Sequence, residues 1–194
     1  MQEPTAIGSV HVHARPGTVY RLLTDLSQWR AFVAECRVTP GRFTVRVGER
    51  FRGTNRRGPL VWRTTATVTQ ATPDRFFAFR VTLFGRPVSD WRYDIVPTDR
   101  GCRVTESTRD HRGPLLRAVS LPATGVLDRA ALNRRNIQRT LTRLKALAEA
   151  AEAAGDASST SGDKDGGSRR EGSPQGDLGI EEVLRKRYAR RFER

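Results

Sequence analysis

The chain has 194 residues, 37% of them hydrophobic, and a formal net charge of +14 carried almost entirely by arginine. That length allows one domain with a real core plus appendages, and no run of 18 apolar residues exists to span a membrane. Met1-Gln2-Glu3-Pro4 shows neither the basic nor the apolar region of a secretory signal, so Cys36 and Cys102 are expected as reduced thiols of a cytoplasmic protein. The positive charge falls within residues 1–154. Its arginines are scattered instead of forming one run, which argues against a dedicated nucleic-acid face.

Residues 6–14 alternate as a strand, with Val10, Val12 and Ala14 on one face and Ser9, His11 and His13 on the other. The two histidines have metal-ligand spacing but no third ligand nearby, and a polar strand face accounts for them. Residues 16–23 read as a short helix with proline near its start, and residues 25–33 as a second, with Asp25 or Ser27 as N-cap. A short strand follows at 35–39. Longer strands are expected at 49–56, 60–70, 75–83, 88–96 and 102–110, separated by Gly- and Pro-containing turns. One face of this meander gathers Trp62, Phe77, Phe79, Trp91 and Tyr93, and the other carries Arg, Asp and Thr. Residues 112–122 are apolar and too long for a tight turn, as a flap over one end of the sheet would be.

Residues 126–151 hold the clearest helical period. Leu127, Ala130, Ile137, Leu141, Leu144, Ala148 and Ala151 form one stripe, interrupted by Arg134, while Asn133 and Asn136 fall on the other face. Pro122 and Thr124 mark the expected start and Gly155 the expected stop. The fold class is therefore α+β: a curved antiparallel sheet of about seven strands around a long helix, with two short helices after the first strand. Residues 155–176 read as a Gly/Ser/Asp linker. Residues 177–194 read as a basic amphipathic helix, with Leu178, Ile180, Leu184, Tyr188 and Phe192 as the face for a protein partner or an anionic surface.

This order of elements resembles the START-like helix-grip superfamily, in its polyketide cyclase/dehydrase branch. Ala14-Arg15-Pro16-Gly17-Thr18-Val19-Tyr20, Val47-Gly48-Glu49-Arg50-Phe51, Trp91-Arg92-Tyr93 and Gly101-Cys102-Arg103-Val104-Thr105-Glu106 carry the likeness, which covers roughly residues 5–152. It implies a small apolar, lipid- or polyketide-like ligand in a cavity between sheet and helix, with or without a cyclisation or dehydration reaction. Gly176-Asp177-Leu178-Gly179-Ile180 also resembles encapsulin cargo-loading peptides, though Glu181, Glu182 and an arginine-rich stretch follow it. That likeness implies an adaptor or cargo role without catalysis.

No phosphate loop, CxxC, HExxH or G-x-S-x-G motif is present, so neither cofactor nor metal is expected. The inward polar candidates are Asn55, Ser89, Tyr93, Glu106 and Thr108. Asn55, Trp62, Phe77, Phe79, Trp91, Tyr93 and Glu106 form the expected ligand-binding set. Glu106 is the candidate general acid/base, because a carboxylate among aromatic rings holds its proton more tightly. The alternative for Glu106 is a pairing with Arg52 or Arg109. His111 is expected in a surface loop.

Overall fold

The structure is a computed structural model that describes residues 3–33, 36–38, 46–57, 59–113 and 128–160, with backbone only at 57 and 156–160. The elements are β1 (Ala6–Val12), α1 (Pro16–Thr24), α2 (Trp29–Phe32), β2 (Cys36–Val38), β3 (Arg50–Arg57), β4 (Leu60–Thr72), β5 (Phe76–Leu83), β6 (Arg86–Thr98), β7 (Gly101–Asp110) and α3 (Arg129–Thr160). The strands form one antiparallel sheet in the order β1-β7-β6-β5-β4-β3-β2. The chain divides into two compact units, Met1–Glu149 and Ala150–Arg194. Of the second, the described residues continue α3. The expected linker beyond residue 160, the basic segment with Leu178, Ile180, Leu184, Tyr188 and Phe192, and most of the expected flap lie outside the described residues.

Alternation along each strand decides which side chains meet. The register places Gly8, Glu106, Tyr93 and Phe77 in one row across β1, β7, β6 and β5, and Ala6, Thr108, Trp91, Phe79 and Val68 in the next. Directly opposed residues in an antiparallel pair share a face, so these rows form the inner surface of the sheet. Irregularities between Val68 and Gln70 and between Val81 and Thr82 interrupt the ladders; bulges of this kind bend strands and sharpen their twist.

The second expected helix is reduced to one turn, because Asp25 serves other ends. Its backbone N–H donates to Arg21 O and closes α1, and its carboxylate accepts from the Ser27 amide and hydroxyl. The result is a turn that delivers Trp29. This indole donates to Leu23 O at 2.9 Å and packs edge-on against Phe51 and tilted against Phe79, both with centroids 5.4 Å away. Phe32 and Phe77 are fully buried beside it. Burial of such rings contributes about 2–3 kcal/mol each, and the cluster ties α2 to the inner surface of β3 and β5.

α3 starts at Arg129. The Asp128 carboxylate accepts from the Ala131 amide at 2.8 Å, a side-chain cap. Its buried face is Asn133, Ile137, Thr140, Leu141, Leu144, Leu147 and Ala148. Arg134 is exposed and does not interrupt this stripe, while Asn133, expected outside, is on the buried side. The true stripe is rotated slightly because it accepts two polar residues in place of an unbroken apolar row. Gly155 does not stop the helix, which runs to Thr160. One glycine costs a helix about 1 kcal/mol, and the alanine-rich run before it has the strongest helix preference.

The distance between α3 and the sheet is set at Gly8. A Cβ there would lie 2.7 Å from Ile137 Cγ2 and 3.1 Å from Gln138 Nε2. Further along, Lys145 Nζ donates to His11 O and the His13 amide donates to Glu149 Oε1, both at 2.9 Å. Gly8→Ala is expected to lower stability by about 1–3 kcal/mol through this overpacking, read as a lower urea midpoint. Gly113→Ala, where nothing lies within 4 Å of the new Cβ, should leave the midpoint unchanged.

Candidate functional site

Glu106 stands in the middle of β7, with Gly8 on one side and Tyr93 on the other. It is 2% exposed. Tyr93 Oη donates to Glu106 Oε1 at 2.9 Å, in a buried hydrogen bond. Oε2 has no hydrogen-bond partner among the described residues. The expected alternative, a pairing with Arg52 or Arg109, is not made, because the register puts both arginines on the outer face. Removal from water is the main influence on the carboxyl. It outweighs the tyrosine's hydrogen bond and pushes the pKa up to about 8. The Tyr93 phenol is itself raised well above its ordinary value, first by burial, then by the carboxyl beside it, with a contribution from Cys36. At neutral pH the favoured form is therefore a neutral carboxylic acid, with one oxygen held by Tyr93 and one O–H group to give.

The seven residues expected to contact a ligand share the inner face but separate into three environments. Tyr93 and Glu106 are the buried polar pair. Phe77 and Phe79 are part of the aromatic core with Trp29 and Phe51, their own centroids 5.7 Å apart. Trp62, Trp91 and Asn55 are half-buried, nearer the end where the β3–β4 and β5–β6 hairpins turn. There Asn55 Nδ2 donates to Thr64 Oγ1 at 3.1 Å and Trp91 Nε1 donates to Ser89 Oγ at 3.0 Å. Sequence reading missed two members of this surface. Gly8 sits opposite Glu106 with no side chain of its own, and only strand pairing gives it a role. Cys36, on the far edge strand, adds to the electrostatic field at Tyr93; no local pattern signals this. Both cysteines are free thiols.

The outer face holds its acids in ion pairs. Asp90 accepts from Arg80 at 2.7 Å and bonds to His111 Nε2 at 2.7 Å. Burial opposes ionisation of Asp90, yet these two partners together keep its carboxyl below the usual value. Arg92 chelates Asp94 and stacks over Phe76 at 4.8 Å. His11 bonds to Thr98 Oγ1 at 2.9 Å. Among the described residues no cluster of three His, Cys, Asp or Glu side chains has metal-binding geometry.

Residues 5–149 match the family described as polyketide cyclase/dehydrase and lipid transport, and the chain belongs to that family. Solved structures share the fold. One is a protein of Chromobacterium violaceum, 13% identical with a TM-score of 0.58, covering 74% of this chain and 96% of its own. A second is a Mycobacterium smegmatis protein, 16% identical with a TM-score of 0.54, covering 75% and 90%. A third is StfQ, a di-domain aromatase/cyclase of the steffimycin biosynthetic pathway, 17% identical with a TM-score of 0.60. It matches over 77% of this chain and 51% of StfQ. No curated protein matches the sequence. Among the described residues no helix is long and apolar enough to cross a membrane.

The raised pKa of Glu106 has a consequence for stability. Unfolded, the group titrates near 4.5; folded, near 8. Between those values the folded state holds the extra proton, so stability is greatest below about pH 4.5 and falls as pH rises towards 8, as far as this group is concerned. Glu106→Gln keeps an acceptor for Tyr93 and removes the titration. Its unfolding free energy should lose that decline, so the gap between variant and parent should widen in the variant's favour from pH 5 to pH 8 in urea titrations.

Proposed function

We propose that the chain binds a small, mostly apolar, lipid- or polyketide-like molecule bearing an oxygen, held between sheet and long helix with that oxygen on Glu106. The observation that carries this reading is the buried Glu106 Oε2 without a hydrogen-bond partner among the described residues. A buried polar group left in that state costs about 1–3 kcal/mol, and a ligand carbonyl or hydroxyl accepting from the neutral acid would remove that cost. Trp62 and Trp91, half-buried on the same face, supply flat apolar surface for the remainder of the molecule. The family's description, which names both cyclase/dehydrase members and lipid transport, fits either a carrier or an enzyme.

A second reading makes Glu106 a general acid in a cyclisation or dehydration. It is favoured by one feature: a carboxyl with pKa about 8 beside a phenol holds a transferable proton near neutral pH. A poly-β-keto substrate turned over by the parent and not by Glu106→Gln would support it; equal turnover by both would contradict it.

Binding itself is tested with a hydroxyanthraquinone, followed by quenching of tryptophan fluorescence. Trp91→Ala should weaken its affinity about tenfold or more, the loss of one large aromatic contact. A folded Trp91→Ala protein with unchanged affinity would contradict the assignment of this face to the ligand.

A further inference from the structure

The two hairpins at one end of the sheet carry a surface that neither the fold nor the inner face requires. Arg57 pairs with Leu60 at the tip of the β3–β4 hairpin, and Leu83 pairs with Arg86 at the tip of the β5–β6 hairpin. Thr65 faces Thr82 between them. Both tips therefore project at the same end, and β3–β4 reaches about four residues further, ~13 Å at the usual rise of a strand. The space between them is a depression of about 310 Å³ lined by Arg52, Arg63, Thr64, Thr65, Thr82, Phe84 and Gly85.

Three apolar side chains stand out into solvent here. Phe84 is 96% exposed and Val61 is 59% exposed, while Leu60, 36% exposed, stands at the same tip on the opposite face of β4. Phe84 also has φ +50, followed by Gly85 at φ +76. Two successive positive φ values describe the tight hairpin turn that favours Asn-Gly. A bulky residue in the first of those positions costs about 1–2 kcal/mol that asparagine or glycine would not. The chain thus accepts backbone strain and full exposure of a phenyl ring at one residue, and the fold gains nothing from either.

Charge at this end has one sign. Residues 50–65 contain Arg50, Arg52, Arg56, Arg57 and Arg63, and Arg86 follows Phe84 in the second tip. Neither residues 50–73 nor residues 75–89 include an Asp or Glu. The acids nearest in the sheet, Asp90 and Asp110, are engaged by Arg80, His111 and Arg112.

We infer that the two hairpin tips dock on an anionic phospholipid bilayer, with Phe84, Val61 and Leu60 inserted at the headgroup boundary and the surrounding arginines on lipid phosphates. Apolar side chains ringed by arginine match the two layers of such an interface. Single-stranded nucleic acid would use the same arginines, but it binds by stacking on rings, and two of the three exposed apolar residues are aliphatic. Docking of the hairpins does not require that the interior bind anything.

The test is flotation of the full chain with vesicles of phosphatidylcholine alone and of phosphatidylcholine mixed with phosphatidylglycerol. The parent should float with the mixed vesicles and lose this with added salt. Val61→Ser with Phe84→Asn should reduce partitioning about tenfold or more, and Arg52→Ser with Arg63→Ser should do the same, at roughly fivefold per arginine. Phe84→Asn should melt no lower than the parent, because asparagine suits its backbone conformation; a lower melting temperature would overturn the reading of Phe84 as an outward contact. Failure of the parent to float, equal flotation of both double variants and the parent, or binding of a single-stranded oligonucleotide without binding of vesicles would each overturn the proposal.

Discussion

One buried carboxyl group organises the inner surface of this protein. Glu106 lies between the smallest residue of β1 and the tyrosine of β6, with the aromatic core two strands away. In such surroundings a charged carboxylate is unfavourable unless paired. Among the described residues its one hydrogen-bond partner is a neutral phenol, so the group holds its proton instead. That choice fixes what the site can do chemically: it can donate a hydrogen bond or a proton to an oxygen, and it is poorly suited to attract a cation. The raised proton affinity and the unpartnered Oε2 thus share one cause, burial on the inner face.

The rest of the fold sets how much room surrounds that group. Gly8 brings α3 down onto β1, while Trp29 and its neighbours fill the space beside β3 and β5. The half-buried Trp62 and Trp91 lie on the same face, Trp91 directly opposite Phe79 of that core. Membership of the polyketide cyclase/dehydrase and lipid transport family accords with that arrangement. The β3–β4 and β5–β6 hairpins present Phe84 and Val61 outwards at an apolar and basic edge.

Much of this is legible in the sequence. Strict alternation in residues 88–96 and 102–110 identified Tyr93 and Glu106 as inward, because a strand allows only two faces. What stayed hidden depended on partners distant in sequence. Glu106 was expected to find an arginine if it found any partner, yet alternation on β3 and β7 turns Arg52 and Arg109 outwards. The packing of Trp29 against Phe77 and Phe79 depends on the turn at Asp25, and no pattern local to β5 signals it. The exposure of Phe84 was equally invisible, since a Phe-Gly pair between strands gives no sign of which way its ring points. On α3 the expected Ile137, Leu141, Leu144 and Ala148 are buried, and Asn133 and Thr140 join them on a face rotated slightly from the apolar period.

The central claim is that Glu106 is a neutral hydrogen-bond donor at physiological pH. Carbon-13 NMR of its side-chain carboxyl, assigned by comparison with Glu106→Gln, measures this directly. The account predicts a carboxyl resonance that is protonated at pH 6, titrates near 8 and shifts when a hydroxyanthraquinone is added at pH 7. A resonance that titrates near the ordinary value of 4.5 and ignores the ligand would contradict it.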